Sequence, residues 1–600
     1  MNSLSSVLFR VVSGLTIAAV GAFGQQYTVS TVAGSGGAPG WSGDSGPALS
    51  AQFTNPIRVA VDKAGNLYIT DFSNFSVRKV DRSGIVNTIA GNGSLGFAGD
   101  GGSGLGSQLS DILDVAVGPD GSVYIADSLN SRVRRLDPAG NISTFAGNGN
   151  RGYAGDGGKA GDASLYFPSG LAFDSKGDLY ISDYGNATVR KVTMSTGIIK
   201  TIAGVGYSIF GAAPGDGGPA NAAFLELPHS VTVDAAGNVY IGDIGTSSIR
   251  KVGTDGKIST YLSNFVAQNF AMDAQGVIYF ADYRTNTVQK VLPGGNTRLW
   301  IGGNGTSGWS GDGGPATAGQ FNLPYGVAVD ASGNVFVADA ANAVIRKLSP
   351  VPFSIGAIAN SATLQAFAPP VSGTGDASFP IAPGELIVIF GTGLGPANMT
   401  TAPSGAALPT QLGGTVVNIN GKPAPILYTS STLVSAVVPY SVDGLFTANV
   451  SVTYQGKTSN VSSLPVYASA PGLFTADGSG AGQATALNSD GTRNSAANPA
   501  GVGTIITLYV TGAGQTTPAG VDGALYPAGN NQPSPVQPVS VTIGGLPAVV
   551  DLVGGVPGMV SGTMRIITEI PTGFAAGSAV PVQVTIGGVK SQQATIAVTN

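Results

Sequence analysis

The chain has no cysteine and a single histidine, His229, in 600 residues. Without thiols there is no disulfide, no thiolate nucleophile and no cysteine-based zinc site, so stability has to come from large apolar cores. With one imidazole a three-histidine metal centre is impossible, and a serine nucleophile has only one candidate histidine base. Charge is also scarce. Only 10% of residues are charged, the net charge is −5, and no basic run or patch stands out. That argues against nucleic acid and anionic membrane surfaces as partners. After the N-terminus no apolar run approaches the roughly 20 residues that a membrane helix needs.

The N-terminus has its own pattern. Residues 1–24 hold Arg10, the apolar run VVSGLTIAAVGAFG, and a small-x-small site (Ala22, Phe23, Gly24) before Gln25. This reads as a secretory signal peptide, and the run is short for a membrane anchor. The expected location is therefore secreted or extracytoplasmic, in a periplasm or at a cell surface, with no membrane span after cleavage.

Glycine, in contrast, is plentiful, at 92 residues. Strand-like apolar patterning nevertheless continues through most of the chain, which points to a turn-rich all-β protein. A cassette recurs six times between Asn55 and Pro350, and its first copy reads NPIRVAVDKAGNLYITDFSNFSVRKVDRSGIVNTIAGNG. The Asp of its Y-I-x-D element returns at Asp71, Asp127, Asp183, Asp243, Asp282 and Asp339, in steps of 56, 56, 60, 39 and 57 residues. A fixed period of this kind marks a repeat architecture. Each cassette divides into four short strand-sized runs separated by Gly, Asn and Asp turns, with no helix-period segment, which describes a propeller blade. The sixth copy, 323–350, stops after three strands. The missing pattern, x-T-x-A-G-x-G, occurs upstream at Thr28–Gly36. This strand is expected to complete the last blade and close a six-bladed ring over residues 27–350, removing exposed sheet edges.

The cassette P-x-G-V-A-V-D-x-x-G-N-x-Y-[IV]-x-D-x-x-N-x-x-[IV]-R-K resembles the NHL repeat, whose family forms six-bladed propellers. The resemblance covers about half of the chain. It implies a fold more than a function, because propellers host enzymes, sensors and adhesive modules alike.

Four of the five steps are longer than the 39-residue one, and the extra residues carry a second motif. It reads WSGDSGPA (41–48), FAGDGGSG (97–104), YAGDGGKA (153–160), APGDGGPA (213–220) and WSGDGGPA (309–316); only the loop entering blade five lacks it. In a meander these loops share a face with the Y-I-x-D turns. The candidate ligand face is therefore Trp41, Asp44, Phe97, Asp100, Tyr153, Asp156, Asp216, Trp309 and Asp312. Aromatic rings beside carboxylates suit sugars, which offer apolar C–H faces and hydroxyl donors. The competing reading is a staple between blades, with the aromatic packed on the propeller and the Asp capping backbone N–H groups. Fivefold repetition favours the staple, because packing needs recur in every blade and binding rarely does.

Signals for catalysis are thin. Gly43-Asp44-Ser45-Gly46-Pro47 is similar to the surround of a trypsin-like serine, yet Ser45 is one variant of a loop that elsewhere reads GDGG. His229 occupies a position filled by Ile57, Leu113, Ser169 and Tyr325 in other blades, and is expected to be an ordinary rim residue. Among NHL-like propellers, amidating lyases use a histidine-rich zinc site, which this chain cannot build. Gluconolactonase-like propellers hold a divalent metal through Glu, Asn and Asp, and Glu226 is the one Glu in this propeller. No catalytic residue, metal ligand or cofactor is assigned; a calcium ion held by Asp and Asn is the one metal chemistry that the residue types leave open. The Arg of each Arg-Lys pair (Arg78, Arg134, Arg190, Arg250 and Arg346) is expected to reach a carboxylate or carbonyl between blades, with the Lys at the surface.

Past Pro352 a second duplication begins. ELIVIFGTGLGP (385–396) parallels TIITLYVTGAGQ (504–515), VVNINGKPAP (416–425) parallels SVTIGGLPAV (540–549), and VTYQGKTSN (452–460) parallels VTIGGVKSQ (584–592). Two β-sandwiches are expected, over 353–468 and 501–600, with 469–500 as an extended connection. The Gly-x-Gly after the first strand and the closing G-x-x-S strand resemble IPT/TIG-type immunoglobulin-like folds. The whole region looks like a tandem C-terminal module of secreted acidobacterial proteins, and this resemblance implies no activity.

The expectation is an all-β protein, a six-bladed propeller followed by two immunoglobulin-like sandwiches. Its expected role is non-enzymatic binding, adhesion or scaffolding, with a glycan or protein as partner. The alternative is a lactonase-like hydrolase or lyase with a metal held by Asp and Asn near the propeller axis.

Overall fold

The computed structural model describes residues 26–37, 39–207, 215–264, 268–294, 298–363, 380–529 and 532–600. The expected signal peptide, 1–24, lies outside them. Among the described residues no helix is long and apolar enough to cross a membrane. The chain divides into two compact units, one of which is Tyr27–Pro350 and the other of which contains Val351–Asn600.

The first unit is six antiparallel sheets, one per cassette, each with its four core strands in meander order. In blade one the strands are Pro56–Val61, Leu67–Asp71, Ser76–Val80 and Ile85–Ala90. The tight turn between the first two is built by its own side chains. Asp62 accepts the Asn66 N–H at 2.9 Å and the Tyr68 hydroxyl at 3.2 Å, and Gly65 takes φ +87°. A side chain at that φ would strain the turn, so the D-x-x-G-N-x-Y element is a turn signature with a physical cause. The first strands of successive blades pack against one another all around the ring, which makes them the channel-lining strands.

Blade six is completed from the other end of the propeller. Tyr27–Ala33 pairs antiparallel with Val344–Pro350, setting Val29 opposite Leu348 and Thr31 opposite Arg346. The cores lie between adjacent blades. The one joining blades six and one gathers Ala33, Phe53, Ile69, Phe336 and Ile345, and the one joining blades one and two gathers Tyr68, Val77, Val115 and Ile125. Each buried aliphatic side chain contributes about 1.5–3 kcal/mol relative to exposure.

The second unit holds two sandwiches with separate cores. The duplicated motifs occupy equivalent strands. Leu386–Thr392 matches Ile505–Thr511, and the hairpin Thr415–Ile419/Lys422–Ala424 matches Val539–Ile543/Leu546–Ala548. The segment 469–500 departs from expectation. Instead of an extended connection it supplies strands of the second sandwich: Gly472–Leu473 and Ala486–Asn488 both pair with Ile505–Thr511. Its small residues misled the reading, because Leu473, Ala484 and Ala486 are buried in the second core despite their low apolar density in sequence.

Ring closure depends on Val29, which is buried in the blade five/six core with Phe321 and Leu348. Val29→Asp places an unpaired carboxylate there and is expected to cost at least about 3 kcal/mol. Denaturant unfolding followed by tryptophan fluorescence checks this; an unchanged midpoint would show that closure does not rest on this strand.

Candidate functional site

One side-chain cluster recurs in five blades. In blade two, Arg134 is fully buried and lies between two carboxylates: Nη2 donates to Asp100 Oδ1 at 2.6 Å and Nη1 to Asp127 Oδ2 at 3.3 Å. Nη2 also donates to the Ala98 carbonyl at 3.2 Å. Asp127 comes from the end of the second strand and accepts the Ser110 N–H and the Asn130 Nδ2–H at 2.8 and 2.7 Å. Asp100 comes from the inserted loop and accepts the Thr144 hydroxyl at 2.6 Å. The same set holds Arg78 between Asp44 and Asp71, Arg190 between Asp156 and Asp183, and Arg346 between Asp312 and Asp339, while Arg250 meets Asp216 at 2.6 Å. The arginines thus act within one blade and its entry loop rather than between blades. Burial pushes the second-strand carboxyls up, Asp71, Asp127 and Asp183 to about 6 and Asp339 to about 7, against the opposing pull of their Asn, backbone and Arg partners.

The loops bind backbone as well. Gly34, Gly91, Gly147, Gly204 and Gly303, each just past an outer strand, donate N–H to Ala48, Gly104, Ala160, Ala220 and Ala316 of the following loop, at 2.8 to 3.0 Å. Each loop then pairs with the outer strand of the blade it enters, as Gly46–Pro47 does with Ile85 and Val86. It therefore ties the outer edges of two neighbouring blades together.

Every carboxylate of the expected ligand face is engaged inside the protein. Asp44 Oδ1 accepts from Arg78 and from the Thr88 N–H at 2.9 Å. Asp156, Asp216 and Asp312 each use one oxygen for Arg and the other for the N–H of Thr201, Thr260 or Thr31. The aromatics lie over the same outer strands. Trp309 Nε1 donates to Thr31 Oγ1 at 3.1 Å, Trp41 Nε1 to Thr88 Oγ1 at 3.3 Å, and Tyr153 Oη pairs with Thr201 Oγ1 at 2.9 Å. The Trp309 ring rests on Gly36, where an added Cβ would lie 2.0 Å from it. Phe97 is covered differently, by the Arg132 guanidinium 3.8 Å from its centroid. All four rings remain 41–43% exposed.

Blade five keeps the second-strand Asp282 but lacks the other two members of the cluster. Gln289 stands where the other blades have Arg, and the loop before it has no Gly-Asp motif. The two losses belong together, since a buried guanidinium without its loop carboxylate would be poorly compensated.

The channel holds a second constellation that the sequence reading missed. The residue after the strand-opening Pro-x is Gly170 and Gly326 in blades three and six, but Arg58, Asp114, Ser230 and Asn269 elsewhere. Arg58, 2% exposed, reaches from blade one to blade four, directly across a six-membered ring: its Nη2 lies 3.2 Å from His229 Nδ1 and donates to the Gln268 carbonyl at 3.3 Å. Asp114, beside it, has its carboxyl pushed up to about 6 by burial, opposed by the Arg58 charge. His229 is thus not a rim residue. It is 8% exposed, with Nδ1 held between Arg58 Nη2 and the Gln268 carbonyl, 3.2 and 2.9 Å away. Half-buried Tyr184 meets the His229 ring edge-on at 5.7 Å, and Tyr283 stacks on Tyr325 at 5.2 Å near the same mouth. The departure from Gly at this position was the available signal. Among the described residues no three His, Asp or Glu side chains converge as a metal site would require.

Asp127→Ala leaves buried Arg134 short of its enclosed partner and is expected to cost about 3–5 kcal/mol. Asp100→Ala should cost less, because its side chain is 37% exposed and solvent screens it. Denaturation midpoints of the two variants check the order. Burial, reinforced by Arg58, lowers His229 to about 3. Its neutral ring therefore supports the fold above the free imidazole value of about 6.5, a contribution lost as pH falls toward 3. The lone histidine's ring-proton NMR resonances should stay flat from pH 8 to pH 5, and a titration midpoint near 6.5 would refute the buried assignment.

Comparison with known proteins agrees with this architecture. A teneurin NHL domain model matches residues 27–98 and 137–214, and an IPT/TIG domain model matches 371–467. Mouse teneurin-4 is 29% identical over 229 residues, 35% of this chain and 8% of the relative. The Arabidopsis thaliana protein SUPPRESSOR OF QUENCHING 1, chloroplastic, is 31% identical over 138 residues, 22% of this chain and 13% of the relative. The chain thus spans only a small part of these relatives' length. Among solved structures, an auxiliary nutrient binding protein from Bacteroides thetaiotaomicron aligns with TM-score 0.40 at 15% identity, over 54% of this chain and 77% of its own. A streptogramin B lyase aligns with TM-score 0.35 at 13% identity, over 54% of this chain and 98% of its own. The chain carries an NHL-type six-bladed propeller followed by an IPT/TIG-type immunoglobulin-like region.

Proposed function

We propose that this is a secreted, non-enzymatic binding or adhesion protein whose propeller face docks a protein or glycan ligand. One observation carries the reading. The carboxylates on that face are tied up in holding blades and loops together, while the outer faces of Trp41, Tyr153 and Trp309 remain open to solvent beside them. Rings held by hydrogen bonds to the outer strands are preorganised, so a ligand stacking on them orders little further. The half-buried Tyr283–Tyr325 stack adds aromatic surface at the centre of the same face.

The hydrolase or lyase alternative, with a metal near the axis, has less in its favour. Where it needs a cation, Arg58 already places a guanidinium across the channel, and a second positive charge there would be repelled. Asp114 and His229 are each only 8% exposed rather than set in an open cleft.

Trp41→Ala combined with Trp309→Ala is expected to weaken ligand capture on a glycan or protein array at least tenfold, consistent with stacking worth about 1.5 kcal/mol. The melting temperature should move little, since both rings are more than two-fifths exposed. Undiminished capture, or a melting temperature lowered as far as by Asp127→Ala, would reduce the rings to fasteners.

A further inference from the structure

The outer strand of blade five, Arg298–Gly302, is the place where the ring departs from its repeat. In the other five blades the outward edge of this strand is covered by a short extended segment of the preceding loop. In blade one Gly46 and Pro47 pair antiparallel with Val86 and Ile85. Equivalent bridges join Ser103 to Asn141, Lys159 to Ile198, Pro219 to Lys257 and Pro315 to Thr28. The bonding repeats as well. In blade four the Gly217 N–H donates to the Ile258 carbonyl at 2.8 Å and the Ile258 N–H to the Gly218 carbonyl at 3.0 Å. Asp216 then accepts the Thr260 N–H at 3.0 Å.

In blade five, Arg298 sits opposite Val291 as Ile258 sits opposite Val252, and Trp300 sits opposite Gln289 as Thr260 sits opposite Arg250. The backbone groups of Arg298 and the N–H of Trp300 therefore point outward, yet among the described residues no strand or bridge covers them. What replaces the staple is made of side chains. Arg298 donates to the Ser263 and Asn264 carbonyls at 2.6 and 2.9 Å, and the Gly294 N–H donates to Tyr261 Oη at 3.0 Å. These contacts join the blades but do not occupy the edge.

From this juxtaposition we infer that the outer edge of Arg298–Gly302 is a β-augmentation site, taking an extended, glycine-rich segment of a partner protein in the register that the Gly-Asp loop segments occupy on the other five blades. Unpaired edges recruit strands through main-chain hydrogen bonds, with side-chain fit setting selectivity. Small residues are required because the residue bridged to the edge is preceded by Gly-Gly in four of the internal occupants and by Ser45-Gly46 in the fifth. The loop Asp is dispensable for ion pairing here, since Gln289 replaces the arginine, but it can accept from the Trp300 N–H as its counterpart does from Thr260. This surface is separate from the aromatic face and does not depend on it.

The probe is an acetylated, fluorescein-labelled peptide of sequence WSGDGGPA, that of residues 309–316, titrated to millimolar concentration against the full chain. Saturable binding is expected, with hydrogen-exchange protection appearing at the Arg298 and Trp300 amides. Arg298→Pro removes one outward N–H and leaves the inner ladder intact, and should weaken binding at least about tenfold. Arg298→Ala keeps the edge amide and should bind within about twofold of the parent; melting temperatures confirm that both variants fold. No saturation with both amides unprotected, or equal binding by Arg298→Pro, overturns the inference. So does a dimer of the protein alone that Arg298→Pro dissociates, because the edge would then belong to a second copy.

Discussion

A guanidinium buried between two carboxylates is the constraint on which the propeller's repeat rests. Taking a charge out of water is costly unless partners surround it, and four arginines are enclosed by a second-strand Asp, a loop Asp and loop carbonyls, while the fifth, Arg250, meets the loop Asp216. The cluster joins three pieces of chain that are distant in sequence: the end of strand two, the middle of strand three and the inserted loop. Because the loop Asp must arrive at the arginine, the loop has to run along the outer edge of its blade. Its backbone then pairs with that edge and with the blade before it. The long inserts are therefore bracing, and their aromatic rings lie where that bracing leaves them.

The same logic explains why departures from the repeat come in sets. Blade five lacks the arginine and the loop Asp together, and among the described residues no segment covers its outer edge. Losing the loop Asp alone would strand a buried guanidinium, whereas in blade five the retained second-strand Asp282 meets Arg284 at 3.5 Å and the blades are joined by Arg298 and Tyr261 side chains. In the channel the departures run the other way. Gly170 and Gly326 sit where neighbouring inner strands touch, and an added Cβ would come within 2.8 Å and 2.5 Å of backbone there. Arg58, Asp114, Ser230 and Asn269 replace that Gly in the other blades, where Asp114 and Asn269 accept the N–H of Leu171 and Val327 in the next blade's inner strand.

Much of the fold was legible in the strings. The period-two apolar runs, the D-x-x-G-N turns and the incomplete sixth cassette specify blades and closure through local geometry: a turn that needs positive φ, or a strand that needs a partner. Segment 469–500 was misread for the same reason. Its Gly, Ala and Ser carry little apolar signal, and only packing against Ile505–Thr511 makes Leu473 and Ala486 core residues. The candidate face was half legible. The repetition of Gly-Asp loops located the residues and favoured a fastening role, but not the arginine that each Asp serves, 34 positions away.

What the string of residues settled is therefore what propagates along the chain: strand, turn, period and the count of blades. Which side chains meet across the ring was decided only by folding. Arg58 and His229 are 171 positions apart, and nothing local in either segment encodes that blades one and four face each other over the axis. Closing six blades into a circle creates that opposition, and it turns a residue expected at the rim into a neutral imidazole sealed against a buried guanidinium.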